Sequence, residues 1–369
     1  MKINAKIYKA IIKILTAIVV LVVLAVAVFL VMQIAGKSRL YGSSDSTRPD
    51  LSNSSLAEVV EQENTGEGFT EGNQEEFYEW QEGDVRYEGT IYRYNEDILT
   101  FLFMGVDKES EVKAVKDGIA GGQADSLFLL VLNPETKTAS VIGIPRDTMT
   151  EVDVYDEKGS YQGSDTRQIC LQHGYGDGME LSCERTVTTV SELFYNLPIH
   201  GYCAINVGAV KLLNDAVGGV EVTALEDVAN SDIKAGDVLH LMGDEACEYI
   251  RNRDITVHYT AEGRLERQKQ YLLAYAEKVR EMMKTDITLP LTLYNTLHKY
   301  MVTDITADEI SYLATQVADY QFSVENITSL TGEVSIEHRF EEFYPDERAL
   351  YELILNTFYD EVNGNGMKP

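Results

Sequence analysis

Positive charge is what this 369-residue chain has least of: 31 lysines and arginines stand against 60 aspartates and glutamates, a formal net charge of -29. A protein so acidic lacks the basic surface that nucleic-acid binding requires, so a DNA-binding role is excluded. Motifs of other classes are missing too. No serine sits in a GxSxG elbow, and His173, His200, His240 and His258 are scattered, so a nucleophilic triad is unsupported. The glycine-rich stretch 118–122 lacks the Lys-Ser/Thr of a Walker P-loop. The cysteines, Cys170, Cys183, Cys203 and Cys247, form no CxxC pair, which argues against a zinc site. Two readings of them stay open: a disulfide, with Cys170 and Cys183 spaced to staple one loop, or buried free thiols. No internal repeat is evident.

What the chain does have begins at its N-terminus. Lys2, Lys6, Lys9 and Lys13 precede an apolar run over residues 14–34 that no proline or charge interrupts. Roughly twenty such residues, at about 1.5 Å of rise each, cross a bilayer core. The lysines place the N-terminus inside, so the expectation is a cytoplasmic tail (1–13), a single transmembrane helix (14–34) and an extracellular remainder. A cleaved signal peptide is the competing reading, but the run is long and no small-x-small cleavage site follows it. Residues 35–97 are rich in Ser, Asn, Gly, Gln and Glu and lose apolar periodicity, so they read as a disordered acidic spacer.

Residues 98–369 read as one large extracellular domain of the α/β class, a layered α-β-α arrangement around a central mixed sheet. Short apolar runs at 98–104 and 126–132 suit buried strands. Turn chemistry at 133–137 joins the second to a third strand at 138–144, which Pro145 stops. Helices are expected at 184–197, 210–217, 243–250 and 262–284, with strands at 202–207 and 220–223. Beyond 284, residues 294–300, 307–317 and 346–362 read as helical and β cover.

Three features converge on phosphate. Asp107 follows the first strand directly and Asp125 precedes the second, so two carboxylates meet at strand ends, where α/β sheets bind ligands and where Mg²⁺ could be held. Ile144-Pro-Arg-Asp-Thr148 sets Arg146 at the sheet edge beside Asp147. Finally, Arg251 and Arg253 precede Arg264, Arg267 and Gln268, and the last three share one helix face near a helix N-terminus. Arginine's planar, permanently charged fork matches phosphate. Turn caps and surface ion pairs are the plainer explanations of each feature taken singly.

Taken together, these residues resemble the LytR-CpsA-Psr (LCP) family of bacterial cell-wall enzymes. The order matches: membrane helix, spacer, strand–G-x-D, A-D-S before a strand, I-P-R-D-T, G-G-V, then R-x-R followed by G-R-x-x-R-Q. The resemblance covers about residues 98–284, with 285–369 as cover. It implies a Mg²⁺-dependent transfer of a glycopolymer from a polyprenyl-diphosphate carrier to peptidoglycan, forming a phosphodiester. It implies Asp107 and Asp125 as metal contacts and Arg146, Arg251, Arg253, Arg264, Arg267 and Gln268 around the diphosphate. Arg146, Asp147 and Arg264 would then be catalytic, with Asp147 the nearest candidate base. The lipid tail would lie in an apolar cleft lined by the second strand and the 184–197 helix. The chain departs from the family pattern at Glu109 and Gln123, where the family often has arginine, and at Ala261, where it commonly has an acid; these changes remove positive charge and one possible base or metal contact. Those departures keep a second reading in play: a non-catalytic scaffold that binds polyprenyl diphosphate.

Overall fold

The computed structural model describes residues 27–42, 48–51, 54, 56, 81, 83–115, 120–228, 231–252, 260–286, 289–317, 320–321, 323–336 and 340–362. The chain divides into two compact units, Met1–Asp45 with Ile305–Tyr320, and Ser46–Asp304 with Gln321–Pro369. Most of the apolar run at 14–34 lies outside the described residues. Among those described, no helix is long and apolar enough to cross a membrane.

Helix α1 (residues 27–42) carries the end of that run and continues past it, so the expected spacer begins as helix. It also ends as sheet. Strands β1 (Val85–Tyr87) and β2 (Thr90–Tyr94) form a hairpin inside the stretch expected to be disordered. Composition masks it, because the partner that completes the sheet is the last strand of the chain, Tyr359–Val362.

The larger unit is built on a central sheet whose first three strands stand where apolar runs predict them: β3 (Leu99–Val106), β4 (Ala124–Asn133) and β5 (Thr138–Ile144). The β4–β5 turn closes because the Asn133 Oδ1 accepts from the N–H groups of Glu135 at 3.0 Å and Thr136 at 3.1 Å. After Pro145 an additional hairpin that the sequence pattern does not predict, β6 (Met149–Tyr155) and β7 (Tyr161–Gln168), leads into the short helix α2 (Leu171–Gly174). Helix α3 (Glu180–Leu193) starts and stops four residues earlier than expected. The Asp177 Oδ1 accepts from Met179 N (2.8 Å) and Ser182 N (3.3 Å) at its start. Tyr195 and Asn196 adopt φ of 57° and 63° beyond its end, a left-handed conformation that no α-helix continues through.

Next come β8 (Gly201–Asn206), α4 (Val210–Ala216), β9 (Val220–Thr223), β10 (Val238–Leu241), α5 (Gly243–Arg251), α6 (Thr260–Met283), α7 (Leu289–Leu297) and β11 (Met301–Thr303). Helix α8 (Ala307–Val317) belongs to the smaller unit. The chain closes with β12 (Ile327–Ser329), β13 (Gly332–Ser335), β14 (Glu342–Pro345), α9 (Glu347–Phe358) and β15 (Tyr359–Val362), the strand that pairs with β2. The main sheet runs β11-β8-β3-β4-β5-β12. Its β3–β8 and β5–β12 pairs are parallel and the others antiparallel, so the sheet is mixed, as expected.

The pleat sends alternate residues of β3 and β4 to opposite faces. Leu102 and Met104, opposite Leu129 and Leu127, pack into a core with Cys183, Val190 and Phe194 of α3 and its end, and with Tyr351, Ile354 and Phe358 of α9. Phe103, opposite Phe128, faces the other way. A second core joins Val220, Val222, Leu241, Ala246 and Tyr249 to Tyr271, Tyr275 and Val279 of α6.

In the smaller unit α1 packs on α8. Gln33 donates to Ser311 O at 2.8 Å, Thr315 Oγ1 donates to Gln33 Oε1 at 2.8 Å, and Arg39 pairs with Asp308 at 3.2 Å. Gly36 lets the helices touch, since a Cβ there would stand 2.3 Å from the Asp308 carbonyl oxygen.

Candidate active site

The outward faces of β3 and β4 open onto a cleft of about 950 Å³. Phe103, Phe128, Ile205, Val210, Leu213 and Leu272 form apolar walls, and Tyr271 and Cys247 complete them. No residue of α3 lines it, which corrects the expected lining: α3 covers the opposite face of the sheet. Helices α4, α5 and α6 take that place.

Polar residues line it too, among them Asp107, Glu109, Asp125, Arg146, Arg251, Arg264 and Gln268. Local structure explains why they meet. The β3–β4 register shifts between Gly105 and Val106: Gly105 pairs with Ser126 and Val106 with Ala124, so Asp125 is the extra residue of a β-bulge. A bulge re-aims the side chain it leaves unpaired. Asp107 N donates to Gln123 O at 3.0 Å, which ties the end of β3 beside that bulge. Gly105 permits this approach, for a Cβ there would come within 3.1 Å of the Ser126 Cβ.

Arg146 is the hub of the sheet edge. Its guanidinium pairs with Asp125, donates to Gln123 Oε1 at 2.7 Å and to Cys170 Sγ at 3.4 Å, and lies 3.3 Å from Asp147 Oδ1. Burial opposes its charge, but Cys170, Asp125 and Asp147 outweigh that and raise its pKa. Asp147 is only 6% exposed and its Oδ1 also accepts from Gln168 at 2.8 Å. It is held behind Arg146 and does not line the cleft, a position suited to orienting the arginine.

Arg251, in the last turn of α5, spreads its fork across two carboxylates: Nη1 to Glu109 Oε1 at 2.5 Å and Nη2 to Asp107 Oδ1 at 3.0 Å. Arg264 is 7% exposed yet lines the cleft from the start of α6, and Gln268 one turn on donates to Ile250 O at 3.2 Å. Arg267 differs. It is 4% exposed, donates to Tyr249 O at 2.9 Å and to Asn252 O, pairs with Glu226, and does not line the cleft. The expected phosphate contact is instead a clamp on the chain that leaves α5. Arg253 and the side chain of Ala261 lie outside the described residues.

The structure thus gathers Asp107, Asp125, Arg146, Arg251, Arg264 and Gln268 at one cleft and sets Asp147 and Arg267 behind it. The sequence marks Glu109 as a departure but carries no sign that it sits on Arg251. The partner of Arg267, Glu226, has no local signal either.

All four cysteines are free thiols. Burial pushes Cys170 and Cys203 up to about 12 and raises Cys183 and Cys247 as well. Since the thiolate is the reactive form, Ellman's reagent at pH 8 should leave the first three of these untouched in the native chain, and half-buried Cys247 should react first. Unfolding should release four thiols; a count of two would mean a disulfide.

Comparisons with known proteins identify the chain's relatives. A family model described as the LytR_cpsA_psr family matches residues 62–353. The polyisoprenyl-teichoic acid–peptidoglycan teichoic acid transferase TagU of Bacillus cereus is 32% identical over 215 residues, covering 58% of this chain and 62% of that protein, less than two thirds of its length. TagU of Bacillus mycoides is 30% identical over 239 residues, 64% of this chain and 68% of the relative. The crystal structure of B. subtilis TagV superposes with a TM-score of 0.54 at 25% identity, covering 70% of this chain and 94% of that one. A Streptococcus agalactiae structure shares the fold at TM-score 0.56 and 20% identity, over 74% of this chain and 90% of that one. With its family match running across both strand-end aspartates and the arginine-bearing helices, the chain belongs to the LytR_cpsA_psr family.

Proposed function

We propose that this protein is a membrane-anchored extracellular phosphotransferase that moves a glycopolymer from a polyprenyl-diphosphate carrier to peptidoglycan. The observation that carries the reading is the mixed lining of the cleft: apolar walls together with three arginines and two strand-end aspartates, paired as Arg146–Asp125 and Arg251–Asp107. A lipid chain suits the walls and a diphosphate suits the arginines. The TagU relatives, named for polyisoprenyl-linked teichoic acid and peptidoglycan, point the same way.

In such a transfer an acceptor hydroxyl oxygen bonds to the glycan-bearing phosphorus as that phosphorus releases its bridging oxygen. Polyprenyl phosphate leaves, and the hydroxyl proton goes to solvent or a base. Catalysis of this kind rests on positioning and charge neutralisation. Arg251 and Arg264 would hold the phosphate oxygens. Arg146, kept in place by Asp147, would do so from the sheet edge.

Asp107 and Asp125 would be the Mg²⁺ contacts, each here paired with an arginine, Arg251 and Arg146. Among the described residues no cluster of three or more metal-ligating side chains forms a full cage, but two carboxylates on neighbouring strand ends are a common holding set for this ion. Bound there, the ion would neutralise charge on the diphosphate.

The apolar run at 14–34 and the lysines before it support a single-pass anchor with the domain outside, where a lipid-linked donor resides. The full chain in membranes, given a labelled polyprenyl-diphosphate glycan and wall sacculi with Mg²⁺, should move label into the wall. Binding of the donor with no transfer would instead establish a scaffold, and failure to bind it would overturn the reading.

A further inference from the structure

We propose that Glu109 is an internal anion that occupies the Arg251 fork, must be displaced by the phosphate of an incoming ligand, and thereby sets the affinity of the cleft. The proposal rests on the reading of the cleft as a diphosphate site. A guanidinium presents paired N–H groups that a phosphate meets with two oxygens. Here the terminal nitrogens of Arg251 are met by two oxygens already, Glu109 Oε1 at 2.5 Å and Asp107 Oδ1 at 3.0 Å. Two carboxylates stand where a phosphate's oxygens would go.

The position of Glu109 is built in. Gly208 N donates to Lys108 O at 3.2 Å, and Asn206 Nδ2 donates to Ser110 O at 2.8 Å. Between these clips Gly208 lies so near that a Cβ on it would be 2.0 Å from the Glu109 carbonyl oxygen. The 108–110 backbone is therefore fastened to the turn after β8, and the Glu109 side chain starts within reach of Arg251.

The two carboxylates are not equally free to leave. Asp107 extends from the end of β3, with its N–H bound to Gln123. The Glu109 side chain is 68% exposed and longer, so it can swing into water while its backbone stays. An exposed ion pair is weak and yields to a doubly charged competitor. While it lasts it neutralises Arg251, and on release it leaves a negative charge beside the ligand. Asp244 and Glu248 also line the cleft, so Glu109 adds to an already acidic surround.

The test is calorimetric titration of the full chain in detergent with farnesyl diphosphate, a short polyprenyl diphosphate. Glu109→Gln should tighten binding on the order of tenfold, and Glu109→Arg more than that, with the thermal transition unchanged. Raising ionic strength should weaken the wild type and the Gln variant alike without reversing their order. Equal or weaker binding by Glu109→Gln, while the wild type binds and Arg146→Ala binds worse, would overturn the role of Glu109 alone. No binding by any form would remove the diphosphate reading and this proposal with it.

Discussion

Replacing Arg251 with alanine is expected to lower glycopolymer transfer on the order of 10²–10³-fold while leaving the fold intact. Its side chain is 44% exposed and those of its partners Asp107 and Glu109 are 50% and 68% exposed, so little packing is lost. What is lost is charge. A preorganised donor aimed at developing negative charge contributes roughly 10²–10³ in rate. Here the deletion does more than remove a cation, because it leaves two carboxylates unneutralised at the proposed phosphate position. Both donor affinity and turnover should therefore fall. Single-turnover transfer assays at saturating donor separate the two, and an unchanged thermal transition excludes misfolding. Wild-type turnover in Arg251→Ala would end the assignment of this arginine to the phosphate.

Part of this architecture is legible in the sequence alone. Strand β5 at 138–144 and helix α8 at 307–317 stand where the sequence places them, because turn chemistry marks both ends of the first and apolar spacing the second. The continuous apolar runs of β3 and β4 announce burial on both faces. They do not say that one face meets α3 and the other a cleft, since Leu102 and Phe103 are equally apolar to a pattern search.

Contacts between distant residues explain the rest. The bulge that aims Asp125 depends on how two strands register, which no composition records. The β1–β2 hairpin, hidden in an acidic stretch, gains its third strand from Tyr359–Val362 at the far end of the chain. On α6, spacing alone groups Arg264, Arg267 and Gln268. Helical geometry puts i and i+4 within about 40° of each other and i+3 about 60° to the other side. Arg264 and Gln268 accordingly share the cleft, and Arg267 turns toward the end of α5.

That division makes Arg267 the position where a ligand role and a structural role predict different measurements. Its side chain is 4% exposed and bonded to Tyr249 O, Asn252 O and Glu226, with its guanidinium 6.0 Å from the centre of the Tyr249 ring. Removing it would orphan two backbone carbonyls and open a space beside Tyr249, itself only 1% exposed. Arg267→Ala should therefore cost about 3 kcal/mol of stability, in the range measured when one partner of a buried polar cluster is deleted. At roughly 2–3 °C per kcal/mol for a domain of this size, the thermal midpoint should fall by about 6–9 °C. Glu226→Gln, on the half-exposed side of the pair, should fall far less. Farnesyl diphosphate binding measured well below the transition should survive in Arg267→Ala, weakened only as far as the α5–α6 connection loosens. A variant that melts with the wild type but no longer binds the diphosphate would return Arg267 to the ligand.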